Sequence, residues 1–322
     1  MQINAVAYIG IKAADPGAWL TYCVDVLGMM RARAVPGQGW GAPGQLRPAS
    51  AMTGVAPDGS VYLKMDDRQW RVAVHPSDGE NGLAYLGFEV DGPLAFEAGL
   101  AELRAAGVEA RVGSPAEAGA RAVSGIAFFE DPAGHAIELI WGQTCDYNFQ
   151  SAIPDHRFVA GHLGVGHFNL FVRNQAACFD FYTGLLGFRL TDYFSYGGDA
   201  RLQFLRCNPR HHSIAMIELG QARGLQHMLV ELQNIDAVGR TLDRALKAGV
   251  EVVSSLGRHR NDGMLSFYMD SPGGFHVEVG CWGLLIGDDW RPNQFCEGDV
   301  WGHHGLIEAV QKAAMGGTGG VA

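Results

Sequence analysis

The sequence predicts an α+β protein in which one strand–helix–strands pattern recurs. Segments of the second half of the chain align with segments of the first half, so the chain carries an internal repeat. Each half in turn contains two units in which an apolar strand leads into a helix and then into further strands. The 45 glycines among 322 residues suit the many turns of such a fold.

The first strand and helix occur in both halves. The string "AVAYIGIKAADPGAWLTYCVDVLGMM", from Ala5, aligns with "GVGHFNLFVRNQAACFDFYTGLLGFR", from Gly164. Both contain an apolar strand, a polar turn and an aromatic-rich helix, followed by Leu-Gly and a hydrophobic residue. A glycine at that place predicts the end of the helix.

A second strand–helix pair and a closing strand pair also occur twice. The string "GLAYLGFEVDGPLAFEAGLAELRAAGVEA", from Gly82, aligns with "GLQHMLVELQNIDAVGRTLDRALKAGVEV", from Gly224. In both, an amphipathic helix closes with Ala-Gly-Val. Further on, "FFEDPAGHAIELIWG", from Phe128, aligns with "FYMDSPGGFHVEVGCWG", from Phe267, and the Pro and Gly predict a turn between two strands.

These repeats predict two domains and a tail. We expect an N-terminal domain over residues 1–145, a C-terminal domain over 146–300 and a tail over 301–322, with a linker that begins at Gly142. The glycine-rich string "MGGTGGVA" at the end of the tail is expected to be unstructured.

Composition argues against several classes of protein. The net charge is −10, with 34 acidic and 24 basic residues and no basic run, which disfavours a nucleic-acid or anionic-membrane surface. No apolar run approaches the length of a membrane span, and the N-terminus does not look like a signal peptide. The six cysteines form no CxxC pair. We therefore expect a reduced, cytoplasmic protein.

The aligned repeats differ where their polar side chains could do chemistry. Two tyrosines of the first half align with two histidines of the second, while a glutamate is shared: Tyr8 with His167, Tyr85 with His227, and Glu138 with Glu278. Only the second half therefore has a His, His, Glu set. The exchange of both imidazoles together suggests that they serve one purpose.

That purpose is predicted to be metal binding. A lone histidine on a strand is more often a hydrogen-bonded core or surface residue, and Glu278 alone could belong to a buried ion pair. Together, in repeated units, the three side chains would converge on a concave sheet surface. Two imidazoles and a carboxylate are typical of non-haem Fe(II), with open positions for substrate and dioxygen, and they also accommodate Mn(II). Zinc is the main rival on ligand type.

Other polar residues could act beside such a metal. In "NPRHHSIAMIEL" only one of His211 and His212 can face the site if the segment is a strand. The string "GRHRNDGMLSFYMD" adds four candidates: His259, Asn261, Asp262 and Tyr268. Taken alone, His259 could be a solvated loop residue and Tyr268 an aromatic of the core.

In its order of motifs, the chain resembles the two-domain type I extradiol ring-cleavage dioxygenases of the vicinal oxygen chelate superfamily. The resemblance covers nearly the whole chain and rests on these strings: "GVGHFNLFV", "FLRCNPRHHSIA", "LQHMLVEL", "LGRHRNDGMLSFYMDSPGGFHVEVG" and "WGHH". It is greatest to the 2,3-dihydroxybiphenyl 1,2-dioxygenases. It implies four βαβββ modules paired into a metal-free N-terminal domain and an iron-binding C-terminal domain.

The resemblance also implies a role for each candidate residue. The Fe(II) ligands would be His167, His227 and Glu278. The remaining roles would be acid–base catalysis by His212, hydrogen bonding to bound oxygen or substrate by His259 and Tyr268, and orientation of a ligand imidazole by Asp262. The implied reaction is extradiol cleavage of a catechol by O2, in a protein that forms homo-oligomers.

The substrate is expected to be a bicyclic or polycyclic catechol. Its pocket is predicted to include Asn169, Phe204, Asn261 and Asp262, with walls from the segment "WRPNQF". Asn169 is polar for an aryl pocket, which suggests a substrate with an extra polar substituent. Two alternatives stay open: an aromatic-ligand-binding protein without catalysis, and a glyoxalase-like metalloenzyme, which typically has four ligands and no relay of His and Tyr residues.

Overall fold

The computed structural model describes residues 1–37, 53–147, 149–195 and 201–316. Within them, the first half of the chain forms one sheet and the second half forms another. The first sheet has eight strands: β1 (Ala5–Ala13), β2 (Met30–Arg31), β3 (Val61–Lys64), β4 (Val72–Pro76), β5 (Gly82–Glu89), β6 (Arg111–Val112), β7 (Gly125–Glu130) and β8 (Ala136–Trp141). Their order is β2-β3-β4-β1-β5-β8-β7-β6.

The second sheet repeats this arrangement and adds a strand at each edge. Its ten strands are β9 (Phe168–Phe171), β10 (Arg189–Ser195), β11 (Arg201–Arg206), β12 (Ile214–Ile217), β13 (Gly224–Glu231), β14 (Val252–His259), β15 (Leu265–Asp270), β16 (His276–Cys281), β17 (Asn293–Phe295) and β18 (Asp299–Trp301). Their order is β17-β10-β11-β12-β9-β13-β16-β15-β14-β18.

The helices lie between strands in a repeated order. They are α1 (Pro16–Thr21), α2 (Gly92–Ala105), α3 (Pro115–Gly119), α4 (Gln175–Asp180), α5 (Ile235–Lys247) and α6 (Leu306–Gly316). In each module the first strand pairs in parallel with the last, and the two modules of one half meet through antiparallel first strands. The four predicted βαβββ modules are therefore confirmed.

Repeated glycines end the helical segments, as the sequence predicted. Gly28 and Gly187 follow π-helical turns that extend α1 and α4, and Gly107 and Gly249 follow α2 and α5. All four have φ between 73° and 77°, a region that favours glycine because it has no Cβ. These turns return the chain toward the sheet in all four modules.

The two sheets share one hydrophobic core. Trp19 of the first half lies 5.4 Å from Phe275 of the second, measured between ring centroids. Phe88 likewise packs against Tyr182 and Phe188, at 6.2 and 5.6 Å. Since these rings are buried, the halves are held together by apolar contact.

The C-terminal segment differs in part from its prediction as a tail. Residues 306–316 form α6, and Val310 of this helix packs on an apolar cluster with Phe171 and Ile217. Of the string "MGGTGGVA", Met315 and Gly316 end the helix and residues 317–322 lie outside the described residues. In the described ranges, no helix combines the length and apolar character needed to cross a lipid bilayer. All six cysteines are free thiols.

Candidate metal centre and cavity

Three adjacent strands of the second sheet bring His167, His227 and Glu278 together. His167 immediately precedes β9, His227 lies on β13 and Glu278 on β16. His167 Nε2 lies 3.1 Å from His227 Nε2 and 3.0 Å from Glu278 Oε2. The third side of the triangle, from His227 Nε2 to Glu278 Oε2, is 3.4 Å. All three residues are buried.

This triangle fits a metal ion in its donor chemistry. Two donors about 2.1 Å from one ion and at right angles to each other are about 3 Å apart, close to the observed distances. Two imidazole nitrogens cannot turn lone pairs toward each other at 3.1 Å without a proton or cation between them. Oε1 of Glu278 also has no hydrogen-bond partner among the described residues. A cation would satisfy all of these groups.

The charge state of the triangle agrees with ligation. Burial alone would raise the pKa of Glu278, but the neighbouring imidazoles of His167, His227 and His259 hold it well below its ordinary value. Burial lowers the pKa of His227 despite the neighbouring carboxylate. A carboxylate and a neutral imidazole are the forms that bind metals.

Gln226, which the sequence analysis did not identify, contacts the His227 ring at the nitrogen that faces away from the triangle. The strand pairing of β13 with β9 has an irregularity between Leu225 and His227, so strict alternation does not hold there. Gln226 is fully buried, lines the same cavity as His227, and hydrogen-bonds to His227 Nδ1 through Oε1. No periodicity in the sequence would place neighbouring residues on one side of a strand.

Of the adjacent histidines, His212 faces the site and His211 faces away from it. The His212 ring stacks on the His167 ring with centroids 3.9 Å apart. His211 Nε2 instead contacts Asp192 Oδ2 at 2.8 Å, while its Nδ1 lies 3.0 Å from His212 Nδ1. Burial, followed by the neighbouring imidazoles, lowers the pKa of His212 well below its ordinary value.

His259 and Tyr268 flank the triangle on the other side. His259 Nε2 lies 2.8 Å from the Tyr268 hydroxyl and 3.5 Å from Glu278 Oε1, and its Nδ1 lies 2.7 Å from Asp299 Oδ1. Burial would lower the pKa of His259, but Asp299 and Glu278 raise it to about 10. Burial, together with Glu278, raises the pKa of Tyr268 well above its ordinary value.

Asp299 and His303 belong to this cluster and were missed from the sequence. His303 Nδ1 lies 2.6 Å from the same Asp299 oxygen that contacts His259. His303 is in the string "WGHH", which was noted only as part of the resemblance. Asp299 lies on the edge strand β18, which pairs with β14, the strand that ends at His259. The sequence gives no sign of this pairing.

The triangle opens into a cavity of about 290 Å³. All four predicted substrate-binding residues line it: Asn169, Phe204, Asn261 and Asp262. Asp262 lies with one carboxylate oxygen 3.9 Å from Nδ1 of His212, so its contact is with the predicted acid–base histidine. The predicted role of Asp262 in orienting a ligand imidazole stays a prediction.

The cavity walls come from elements far apart in the chain. Apolar side chains dominate these walls, among them Phe194, Leu202, Phe204, Ile217, Phe295 and Val310. Phe295, from the segment "WRPNQF", lies where the sequence predicted a wall, whereas Trp290 packs against His211 at 5.8 Å. The contribution of α6 was not predicted, because these residues were assigned to a tail.

Comparison with known proteins identifies the family. The profile of the Glyoxalase/Bleomycin resistance protein/Dioxygenase superfamily matches residues 164–279, which include the whole triangle. An iron-dependent extradiol dioxygenase of Rhodococcus jostii (strain RHA1) is 35% identical over 314 residues, covering 94% of this chain and 97% of the relative. The chain belongs to the extradiol dioxygenases. The resemblance seen in the sequence is thus confirmed.

Further dioxygenases match over nearly the whole chain. A biphenyl-2,3-diol 1,2-dioxygenase of Metapseudomonas furukawaii is 30% identical over 323 residues, covering 97% of each chain. The crystal structure of a halotolerant catechol dioxygenase matches with a TM-score of 0.85 and 31% identity, covering 96% of this chain and 97% of that one. Both halves of this extradiol dioxygenase therefore have counterparts in its relatives.

The first half of this dioxygenase has an arginine near its own glutamate. Glu138 accepts a hydrogen bond from the Tyr8 hydroxyl at 2.6 Å and forms an ion pair with Arg121 at 2.9 Å. The Arg121 guanidinium lies 4.4 Å from the centre of the Tyr85 ring, whose hydroxyl contacts His75 Nε2 at 2.7 Å. The buried carboxylate thus has a cationic partner within the protein.

Proposed function

We propose that this chain cleaves the ring of a catechol with O2 in the extradiol manner, using Fe(II) held by His167, His227 and Glu278. The observation that carries the proposal is the triangle of donor atoms at the base of a mostly apolar cavity. When bound, Fe(II) supplies neighbouring positions for the two catechol oxygens and for dioxygen, and a path for electrons between them. Mn(II) fits the same donor set.

His212 is the proposed proton acceptor and donor. The Asp192 carboxylate can only accept, so Nε2 of His211 donates to it and leaves the His211 Nδ1 lone pair free. Nδ1 of His212 then donates to His211, which leaves His212 Nε2 able to take a proton from a substrate hydroxyl. The lowered pKa of His212 agrees with a neutral resting state.

His259 and Tyr268 are proposed to bind the substrate anion. Asp299 and Glu278 favour a protonated His259, which then has an N–H directed at the Tyr268 hydroxyl. Tyr268 keeps its proton and can donate it to a catechol oxygen that has lost its own. The two groups would therefore orient the diol while His212 handles the proton.

The cavity supports a small aromatic substrate of one or two rings. Its volume of about 290 Å³ is just below the usual range for ligand sites, roughly 300–1,000 Å³. Rings from Phe194, Phe204 and Phe295 can pack against a second ring of the substrate. We therefore favour a bicyclic catechol similar to 2,3-dihydroxybiphenyl.

Oxygen uptake after anaerobic loading with Fe(II) tests the proposal. Uptake with 2,3-dihydroxybiphenyl, accompanied by a yellow ring-opened product, is the expected result, and plain catechol should react more slowly because it leaves much of the cavity unfilled. The matched control is protein loaded with Zn(II), which lacks the redox chemistry. An iron-loaded protein that consumes no oxygen with either diol would contradict the proposal.

A further inference from the structure

A buried hydrogen-bond acceptor without a partner lies beside the proposed metal ligands. Asn169 is only 6% exposed and lines the cavity. Its Oδ1 atom has no hydrogen-bond partner among the residues that the structure describes. Buried acceptors in folded proteins are nearly always paired, so this oxygen requires an explanation.

The surrounding hydrogen bonds determine which end of the Asn169 amide is left without a partner. His227 presents Nε2 to the triangle, so its Nδ1 carries the proton and donates to Gln226 Oε1. The Gln226 amide nitrogen then donates to His276 Nδ1, 3.3 Å away. Since Gln226 Oε1 is an acceptor, the group of Asn169 that lies 3.2 Å from it must be the amide nitrogen.

A neutral His276 is consistent with this assignment. His276 Nε2 lies 3.4 Å from Asp270 Oδ1, so its single proton is used there and Nδ1 is left to accept. The network therefore runs without conflict from Asp270 to Asn169. It leaves Asn169 Oδ1 with its lone pairs unused.

The position of Asn169 in the sheet places this residue close to where a diol would bind. Asn169 pairs with His227 on one neighbouring strand and with Ala215 on the other. Both neighbours line the cavity. Asn169 therefore lies near the base of the cavity, beside the site where the diol would bind.

We propose that Asn169 Oδ1 accepts a hydrogen bond from a donor substituent, a hydroxyl or amino group, that the substrate carries on or next to its catechol ring. The inference rests on the proposed function, because it assumes that a catechol occupies this cavity. It narrows the substrate class to aromatic diols with a third hydrogen-bond donor. A site with a fixed acceptor binds the analogue without the donor less well, since the acceptor is then left buried and unpaired.

The experiment compares 1,2,3-trihydroxybenzene with 3-methylcatechol, which has a methyl group in place of the third hydroxyl. Anaerobic titration of the Fe(II)-loaded protein gives a Kd for each, and both bind through the same pair of oxygens, so chelation cancels in the ratio. Asn169→Leu removes the acceptor at similar size. We expect the preference for the trihydroxy compound to fall by about tenfold in this variant.

Phe204→Leu is the matched control because Phe204 lines the same cavity without a polar group. It should change both Kd values together and leave their ratio within about twofold. If Asn169→Leu does not fold, the near-isosteric pair Asn169→Thr and Asn169→Val replaces it, and only the threonine variant should keep part of the preference. Far-ultraviolet circular dichroism and iron content check each variant.

Two outcomes would overturn the inference. One is a Kd ratio in Asn169→Leu equal to that of the unmodified protein, and the other is an unmodified protein that prefers 3-methylcatechol. Failure of the proposed function looks different, because then neither diol binds to the iron-loaded protein or no oxygen is consumed with any diol. If both diols bind and are cleaved while the ratio stays unchanged, only the role of Asn169 is wrong.

Discussion

The two halves of the chain use one scaffold to place a buried glutamate among different partners. In the first half, Glu138 pairs with Arg121 and hydrogen-bonds to Tyr8. In the second half, Glu278 faces two imidazoles that have no fixed positive charge. A buried carboxylate requires a positive partner. The first half therefore has an arginine at its glutamate, whereas in the second half we propose that a bound metal ion joins His259 as a positive partner of Glu278.

The largest expected difference between the halves is in metal binding. Glu278→Gln should abolish iron binding and reduce oxygen uptake to the level of the metal-free protein, because the anionic ligand is lost. Glu138→Gln is the matched control and should keep one iron per chain. Iron analysis after gel filtration and oxygen uptake give the two measurements. Equal iron loss in both variants would remove the distinction between the halves.

The next largest effect separates catalysis from ligation within the second half. His212→Ala should keep iron bound and slow turnover by about two to four orders of magnitude, since it removes the proton acceptor. His227→Ala is the comparison variant and should lose iron. Steady-state oxygen uptake and iron content are measured on the same preparations. Loss of iron in His212→Ala would make His212 a ligand and overturn its assigned role.

A third test concerns the cation of the first half. Arg121→Met leaves the Glu138 carboxylate buried without a counter-charge, and we expect the free energy of unfolding to fall by about 3 kcal/mol. Adding Glu138→Gln to Arg121→Met should recover much of that loss, because no charge is then left buried. Urea unfolding measures both. A double variant less stable than Arg121→Met would show that the ion pair is not the cause.

The smallest expected effect is a pH dependence of stability from His75. Burial, assisted by Arg121, lowers the pKa of His75 to about 4, below the 6.5 of the unfolded chain. The unfolded state therefore binds the proton more readily, and stability present above about pH 6.5 is lost as the pH falls toward 4. We expect the resulting loss in the free energy of unfolding to be roughly 2 kcal/mol at most, because His75 is partly exposed.

Urea unfolding at pH 7 and pH 5 measures this dependence in the unmodified protein and in His75→Gln. The variant should lose less stability between the two pH values, while the contributions of other groups cancel in the difference. If the free energy of unfolding changes equally with pH in both proteins, His75 does not contribute to the pH dependence.

Much of the fold and of the metal centre was predictable from the internal repeat. The exchange of Tyr8 and Tyr85 for His167 and His227 was visible by aligning the chain with itself. The antiparallel pairing of the first strands of two modules then brings those positions next to each other in the structure. An internal repeat predicts structure because segments with the same pattern of residues fold into the same kind of module.

Other features depend on contacts between segments that the sequence does not connect. Gln226 reaches the site through an irregularity in strand pairing, and Asp299 through an edge strand about forty residues after His259. Helix α6 forms a cavity wall although its residues read as a tail. Arg121 was also not recognised as the partner of Glu138, because an ion pair across a loop leaves no periodic signal.

The sequence by itself determined the modules, the reaction family and the three candidate ligands, because these depend on repeated local patterns and on the identity of aligned side chains. Only the tertiary structure decided which of His211 and His212 faces the cavity, how large that cavity is, and that Asn169 lines it while its buried oxygen has no partner among the described residues. Those properties depend on hydrogen bonds and packing between distant strands, whose geometry is set when the sheet closes around the site.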